Sequence, residues 1–351
     1  MALDIAAEAV ERPAPSIIQQ FSRMRAAIIT RPGGSEVLEV QDRPTPTPGD
    51  GQILVGVRAS ALNRADLLQR EGAYPAPPGS PPDIPGLEFA GEVVALGPGV
   101  SEWRAGDRVF GVVGGGGHAE CLVTDAATVA PVPANLSWPE AAAVPEAFIT
   151  AHDALVVQAA VLPGDRVLIH AVGSGVGLAA TQLARAWSAV PYGTARTAEK
   201  ITRARELGLE DGVTVADDTE AIVGAAERWT AGKGMNVTLD LVGGPYLAAS
   251  IRASALKARI MLVGTMAGRS GTLPIGMILS KRLTLRGTVL RARPLDEKRA
   301  VTAAFAREVV PLLEGGVLRP VIDSVFRLDE IRAAHERLAS NATFGKVVVI
   351  C

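Results

Sequence analysis

The chain has 351 residues, a net charge of −2, 48% hydrophobic residues and only 4% aromatics. Balanced charge gives no electrostatic footprint for nucleic acid or an anionic membrane, and no apolar run reaches the roughly 20 residues of a membrane span. Two cysteines, Cys121 and Cys351, are too few for a disulfide framework or a cysteine-rich metal site, so a reducing, cytoplasmic compartment is expected.

Residues 1–23 mix Asp4, Glu8 and Glu11 with Pro13 and Pro15 and read as a flexible extension rather than a targeting segment, with Met24 an alternative start. Between residue 25 and about 132, short apolar stretches at 25–30, 53–62, 91–96, 108–113 and 119–123 lie among proline and glycine clusters. They predict a folded-over β unit, with 114–117 a flexible hairpin-like turn. Ser137-Trp-Pro-Glu140 is a capping box with proline in the first turn, and predicts a helix through 141–157. Beyond Pro163-Gly164 the periods alternate. Strands are expected at 167–172, 189–194, 213–215, 237–242, 259–263 and 283–290, with helices between them that include 198–207, 220–229 and 247–256. A helix at 296–313, a strand at 321–326, a helix at 328–339 and a terminal strand at 346–350 complete the chain. Alternation of this kind predicts an α/β fold: a doubly wound parallel sheet inserted between two parts of a β-rich domain, which would also host the terminal strand.

The segment from Asp165 to Arg185 sets an apolar strand before Gly173, Ser174, Gly175 and Gly177 and then an amphipathic helix. Bare backbone at a helix N-terminus suits a pyrophosphate, although Val172 and Ser174 break the usual glycine spacing, and such a turn alone serves equally as a plain strand-to-helix connection. Past the next strand, an NAD site usually presents an acid to the ribose. Here Thr194 is followed by Arg196 and, one turn on, Lys200. Two cations and no acid favour a 2′-phosphate and hence NADPH, against the alternative of a solvated helix face.

Four segments resemble the zinc-independent quinone oxidoreductases of the medium-chain dehydrogenase/reductase superfamily. They are Ser60-Ala-Leu-Asn-Arg-Ala-Asp66 with Gly72-Ala-Tyr-Pro-Ala-Pro-Pro-Gly79, Pro85-Gly-Leu-Glu-Phe-Ala-Gly-Glu92, Pro145-Glu-Ala-Phe-Ile-Thr-Ala151, and the glycine turn with its preceding Leu168-Ile-His170. The similarity spans nearly the whole chain and is closest to the p53-inducible branch. It implies a GroES-like catalytic domain (24–143 and 315–351) around a Rossmann domain (144–314). It also implies a substrate pocket lined by Asn63 and Tyr74, with Asp66 orienting the loop through Arg64 or backbone N–H groups. For the cofactor it implies Thr150, Gly173, Ser174, Gly175, Val176, Val242, Gly243, Gly264, Thr265, Met266 and Asn341, beside Thr194, Arg196 and Lys200.

Zinc-dependent relatives carry cysteine where this chain has Asn63 and histidine where it has Leu87, and the four histidines lack ligand spacing, so no metal is expected. Without a Lewis acid the chemistry implied is hydride delivery to an already electrophilic quinone or conjugated carbonyl. Reduction of a conjugated C=C bond is the alternative, and a structural or sensing NADPH-binding protein a second. Relatives often place an aromatic residue where Val215 stands and a tyrosine where Leu68 stands. His170 and Tyr192 read as core residues. Family members pair the edge strand at 283–290 across a two-fold axis, which implies a homodimer.

Overall fold

The computed structural model describes residues 22–215 and 218–351. The extension expected at 1–23 therefore falls, but for its last two residues, outside the described residues. The described chain opens with an antiparallel ribbon of β1 (Arg23–Ile29) and β2 (Leu38–Pro44). The long β3 (Gln52–Ala61) leads into α1 (Arg64–Arg70), followed by β4 (Glu88–Leu96), β5 (Arg108–Val112), β6 (Cys121–Asp125) and β7 (Val129–Pro131). One face of these strands buries Ile53, Val55, Val57, Phe89, Val93 and Val109 together, as the period of two demands. The segment 114–117 is not the flexible hairpin its glycines suggest. It is buried, with Gly116 N–H on the Ile84 carbonyl (2.9 Å) and Gly117 N–H on that of Gly86 (3.0 Å).

The capping box of Ser137 and Glu140 forms, but the single helix expected through residue 157 is three pieces. These are α2 (Trp138–Ala142), α3 (Pro145–His152) and a widened turn, Asp153–Gln158. Pro145 causes the first break: lacking an N–H, it sits at the start of a new helix. Six parallel strands follow: β8 (Arg166–Ile169), β9 (Val190–Ala195), β10 (Asp211–Thr214), β11 (Met235–Asp240), β12 (Ser254–Leu262) and β13 (Thr284–Gly287). Between them run α4 (Gly175–Ala186), α5 (Ala198–Arg205), α6 (Glu220–Thr230), α7 (Pro245–Ala253) and α8 (Ile275–Lys281). Then α9 (Leu295–Glu308), α10 (Val310–Glu314), β14 (Ile322–Arg327), α11 (Ile331–Ala339) and β15 (Lys346–Ile350) close the chain, Pro311 splitting the helix expected at 296–313.

The parallel sheet has the order β10-β9-β8-β11-β12-β13. Direction of growth reverses between β8 and β11, the crevice where such sheets hold nucleotides. Val167 and Ile169 of β8 point into one core with Leu178 and Leu183 of α4, while Leu168 points into another with Ile222 and Met235. The second sheet is β14-β15-β3-β4-β5-β7, with β6 also on β3. The terminal strand thus returns to the β-rich part, antiparallel to β3. Phe110 of β5 meets Phe305 of α9 edge-to-face at 5.8 Å, and one hydrophobic cluster runs through both sheets' neighbourhoods. The strand expected to reach residue 172 stops at Ile169, because Ala171 takes a left-handed φ of 50°.

Candidate active site

The glycine turn is built by close approach. A Cβ on Gly177 would lie 2.6 Å from the Ala171 carbonyl oxygen, and one on Gly173 2.9 Å from Cδ of Lys200. Helix α4 starts within the motif, at Gly175, with Ser174 as its cap: Ser174 Oγ accepts from Gly177 N–H at 3.1 Å. That leaves the N–H groups of Gly175 and Val176 at the positive end of the helix uncapped by it. Val172, where a first glycine would be usual, is fully buried against Gly193, so the irregular spacing is a packing variant.

The C-terminal segment seals this turn, with Gly345 N–H donating to the Gly173 carbonyl at 3.1 Å. Asn341, in a left-handed conformation (φ 59°), gathers cations there. Arg196 Nη2 and Lys200 Nζ donate to its backbone carbonyl at 2.6 and 2.9 Å, and Arg64 Nη2 donates to its Oδ1. Burial and the Arg196 charge hold the Lys200 ammonium below its usual range. Thr194 sits differently from the expectation. It is buried, and its Oγ1 lies 3.1 Å from His170 Nδ1, so the hydroxyl faces inward. His170 is a satisfied core residue, its Nε2 2.8 Å from Ser250 Oγ, although it lies just past the strand rather than within it. Val215 is core, and Tyr192 stacks on Trp229 at 4.9 Å.

At the ends of β11 and β12, Asp240 Oδ1 accepts from Val242 N–H (2.9 Å) and Gly243 N–H (2.8 Å). Gly243, with φ of 69°, and Gly264 allow the two loops to touch: a Cβ on Gly264 would come within 2.3 Å of the Leu241 carbonyl. A groove of about 320 Å³ opens beside them, lined by residues 262–265 and 287–289. Thr265 lines it, and Met266 next to it is half exposed. Thr150 is buried in α3, and Val176 packs on the core of α4's face.

In the β-rich part, Asn63 caps α1 in a reciprocal box with Asp66. Asn63 Nδ2 donates to Glu88 Oε1 (2.8 Å) and its Oδ1 accepts from Lys346 Nζ (2.6 Å). Asp66, fully buried, accepts from the backbone N–H groups of Asn63 (2.7 Å) and Gly86 (2.8 Å). It therefore holds the loop through backbone, and Arg64 is not its partner. Glu88 and Lys346 form a buried ion pair at 2.6 Å, and Glu88 Oε2 accepts from Glu146 N–H at 2.8 Å. Glu146 Oε2 is shielded from solvent and has no hydrogen-bond partner among the described residues. Burial pushes the Asp66 carboxyl up to about 6 and that of Glu146 up to about 8, the latter reinforced by the Glu88 charge and opposed by Lys346.

Tyr74 is fixed from the opposite side. Arg291, almost wholly buried, lies 5.0 Å over its ring, donates to its carbonyl at 3.2 Å and to that of Gly114 at 2.8 Å, and also holds Gln69. These contacts use the tyrosine's backbone and ring face and leave its hydroxyl uncommitted. Sequence reasoning missed Arg291, Glu146 and Lys346 as site residues. Lys346 was readable beside Gly345, whereas nothing near Arg291 in the sequence connects it with Tyr74.

Residues 49–134 match the alcohol dehydrogenase GroES-like domain family, and residues 210–349 the zinc-binding dehydrogenase family. The residues present do not fit zinc: among the described residues no three His, Cys, Asp or Glu side chains gather for a metal, Asn63 Oδ1 is taken by Lys346, and the residue at 87 is leucine. The chain is 32% identical to a quinone oxidoreductase of Lama guanicoe over 93% of its own length and 97% of the relative's. It is 33% identical to Pikromycin polyketide synthase component PikAII of Streptomyces venezuelae over 98% of its length, spanning 9% of that protein. A mycobacterial protein solved in complex with NADPH superposes with a TM-score of 0.84 at 27% identity, over 93% of this chain and 100% of that one. The glycine turn at the switch point of the parallel sheet and the full-length similarity to quinone oxidoreductases agree: the chain belongs to the quinone oxidoreductases of the medium-chain dehydrogenase/reductase superfamily and is an oxidoreductase.

Proposed function

We propose that this chain is an NADPH-dependent quinone oxidoreductase that works without zinc, in the cleft between a catalytic part (24–143 and 315–351) and a dinucleotide-binding part (144–314). The observation that carries the cofactor choice is the meeting of Arg196 and Lys200 at Asn341, beside the Gly173 turn, with no carboxylate partner for either among the described residues. The backbone of Gly173, Ser174, Gly175 and Val176 holds the pyrophosphate, and Arg196 and Lys200 hold the 2′-phosphate near Asn341 and the end of the Thr194 strand. Thr150, Val242, Gly243, Gly264, Thr265 and Met266 bound the nicotinamide half. When bound, the cofactor supplies a hydride to a conjugated carbonyl. The protein orients the acceptor, keeps water out and stabilises the oxygen that gains charge. Tyr74 offers its phenolic O–H to that oxygen. Asn63, locked by Glu88 and Lys346, forms the polar wall, and Asp66 fixes both the α1 start and the Gly86 loop.

A homodimer through the edge at 283–290 is part of this reading. It is supported by β13 pairing on one side only, and by exposed Ile275, Leu279 and Val289 around it. Titration of NADPH and NADH against wild type, Arg196→Ala and Lys200→Ala tests the cofactor assignment. Each variant is expected to lose about tenfold or more in NADPH affinity, the worth of one charge-assisted hydrogen bond, with NADH little changed. Equal losses for both cofactors would count against it.

A further inference from the structure

Arg64 stands at the first position of α1, on the β-rich side of the cleft, whereas Arg196 and Lys200 belong to β9's end and α5 on the nucleotide side. All three nevertheless donate to one neutral residue, Asn341. The carboxylates around them are engaged elsewhere. Asp323 is held by Arg337 at 2.8 Å and by Phe344 N–H at 2.9 Å, Glu199 lies 3.6 Å from Arg203, and Glu71 lies 3.1 Å from Arg70. Among the described residues, then, three cations converge without an ion-pair partner. Like charges this close repel one another, and burial together with Arg196 lowers the Arg64 pKa below its usual range. A structural need to hold the Asn341 loop would be met by one donor. Three donors on two acceptor oxygens suit a dianion with several oxygens at one point.

We propose that Arg64 is a third ligand of the cofactor's 2′-phosphate, reaching it across the cleft from the opposite domain. The inference rests on the NADPH reading above and adds a specificity residue from the catalytic side. Because Arg64 directly follows Asn63 and shares a helix turn with Asp66, the phosphate would bear on the element that carries the substrate wall.

Calorimetric titration with adenosine 2′,5′-bisphosphate and adenosine 5′-monophosphate tests this without turnover, using the full chain as wild type, Arg64→Gln and Arg64→Lys. Arg64→Gln is expected to weaken the bisphosphate by about tenfold or more and the monophosphate by less than about twofold, with Arg64→Lys in between. The inference is overturned if Arg64→Gln binds the bisphosphate as wild type does, or loses both ligands equally. Should Arg64→Gln fail to fold, a wild-type-like bisphosphate affinity in Arg64→Lys overturns it and a selective partial loss supports it. Wild-type protein with no preference for the bisphosphate overturns the NADPH reading itself, a result distinct from the others.

Discussion

Asp66 uses both carboxylate oxygens as acceptors for backbone N–H groups, one on each side of the pocket wall. Asp66→Asn turns an NH₂ toward one of those donors. A loss of about 1–3 kcal/mol in unfolding free energy, read by urea denaturation, is the expected result. Tyr74 stands at the other limit, its ring and carbonyl fixed by Arg291 and its hydroxyl uncommitted by those contacts. Tyr74→Phe should lower quinone turnover by roughly tenfold while leaving NADPH affinity unchanged, since only a hydrogen bond to the acceptor is removed; steady-state rates beside a cofactor titration separate the two. At this scale the sequence was legible where chemistry is local. Arg196, Lys200 and the glycine turn each follow a strand, a setting the sequence displays locally, and the structure brings both cations to Asn341 beside that turn. Arg291 and Glu146 were not, because their meaning comes from neighbours distant along the chain.

The elements follow their caps and breakers. The capping box read at Ser137 opens a helix, and prolines at 145 and 311 divide the helices that the sequence reading joined. The strand before the glycine turn is shorter than its apolar run because Ala171 turns left-handed, which no residue type announces. His335 and His118 meet at 6.2 Å between ring centroids, both fully buried. Among the described residues His335 has no hydrogen-bond partner on either nitrogen, whereas His118 has Ser60 at 2.7 Å on Nδ1 and none on Nε2. Desolvation drives both imidazoles to stay neutral, His118 down to about 3 and His335 well below its usual value. The unfolded chain takes up these protons near pH 6.5 and the folded one does not. Stability is therefore whole above that pH and falls as pH drops below it toward 3, by up to about 1.4 kcal/mol per pH unit for each histidine. His335→Leu should shallow that slope in denaturation curves taken between pH 7 and 4; an unchanged slope would mean that His335 is not among the groups responsible.

Across the whole molecule, the two sheets share one hydrophobic cluster, which ties the β-rich part to the parallel-sheet part. The alternation of strands and helices made the parallel sheet legible from the sequence, and the terminal strand's return to the β-rich part followed from its need for a partner, while its pairing with β3 did not. Less legible was the depth of contact between the parts, since Phe110 with Phe305 and Arg291 with Gly114 depend on long-range packing. If the β13 edge is the dimer seam, light scattering will give twice the 36.4 kDa chain mass, and Leu279→Asp with Val289→Asp will give monomers that keep their circular dichroism. NADPH oxidation followed with 1,4-benzoquinone, 9,10-phenanthrenequinone and a 2-alkenal in parallel tests quinone reduction itself. Turnover is expected with the quinones, faster with NADPH than with NADH. Activity confined to the alkenal would make the protein a C=C reductase, and no turnover with any acceptor would contradict its being a quinone-reducing enzyme.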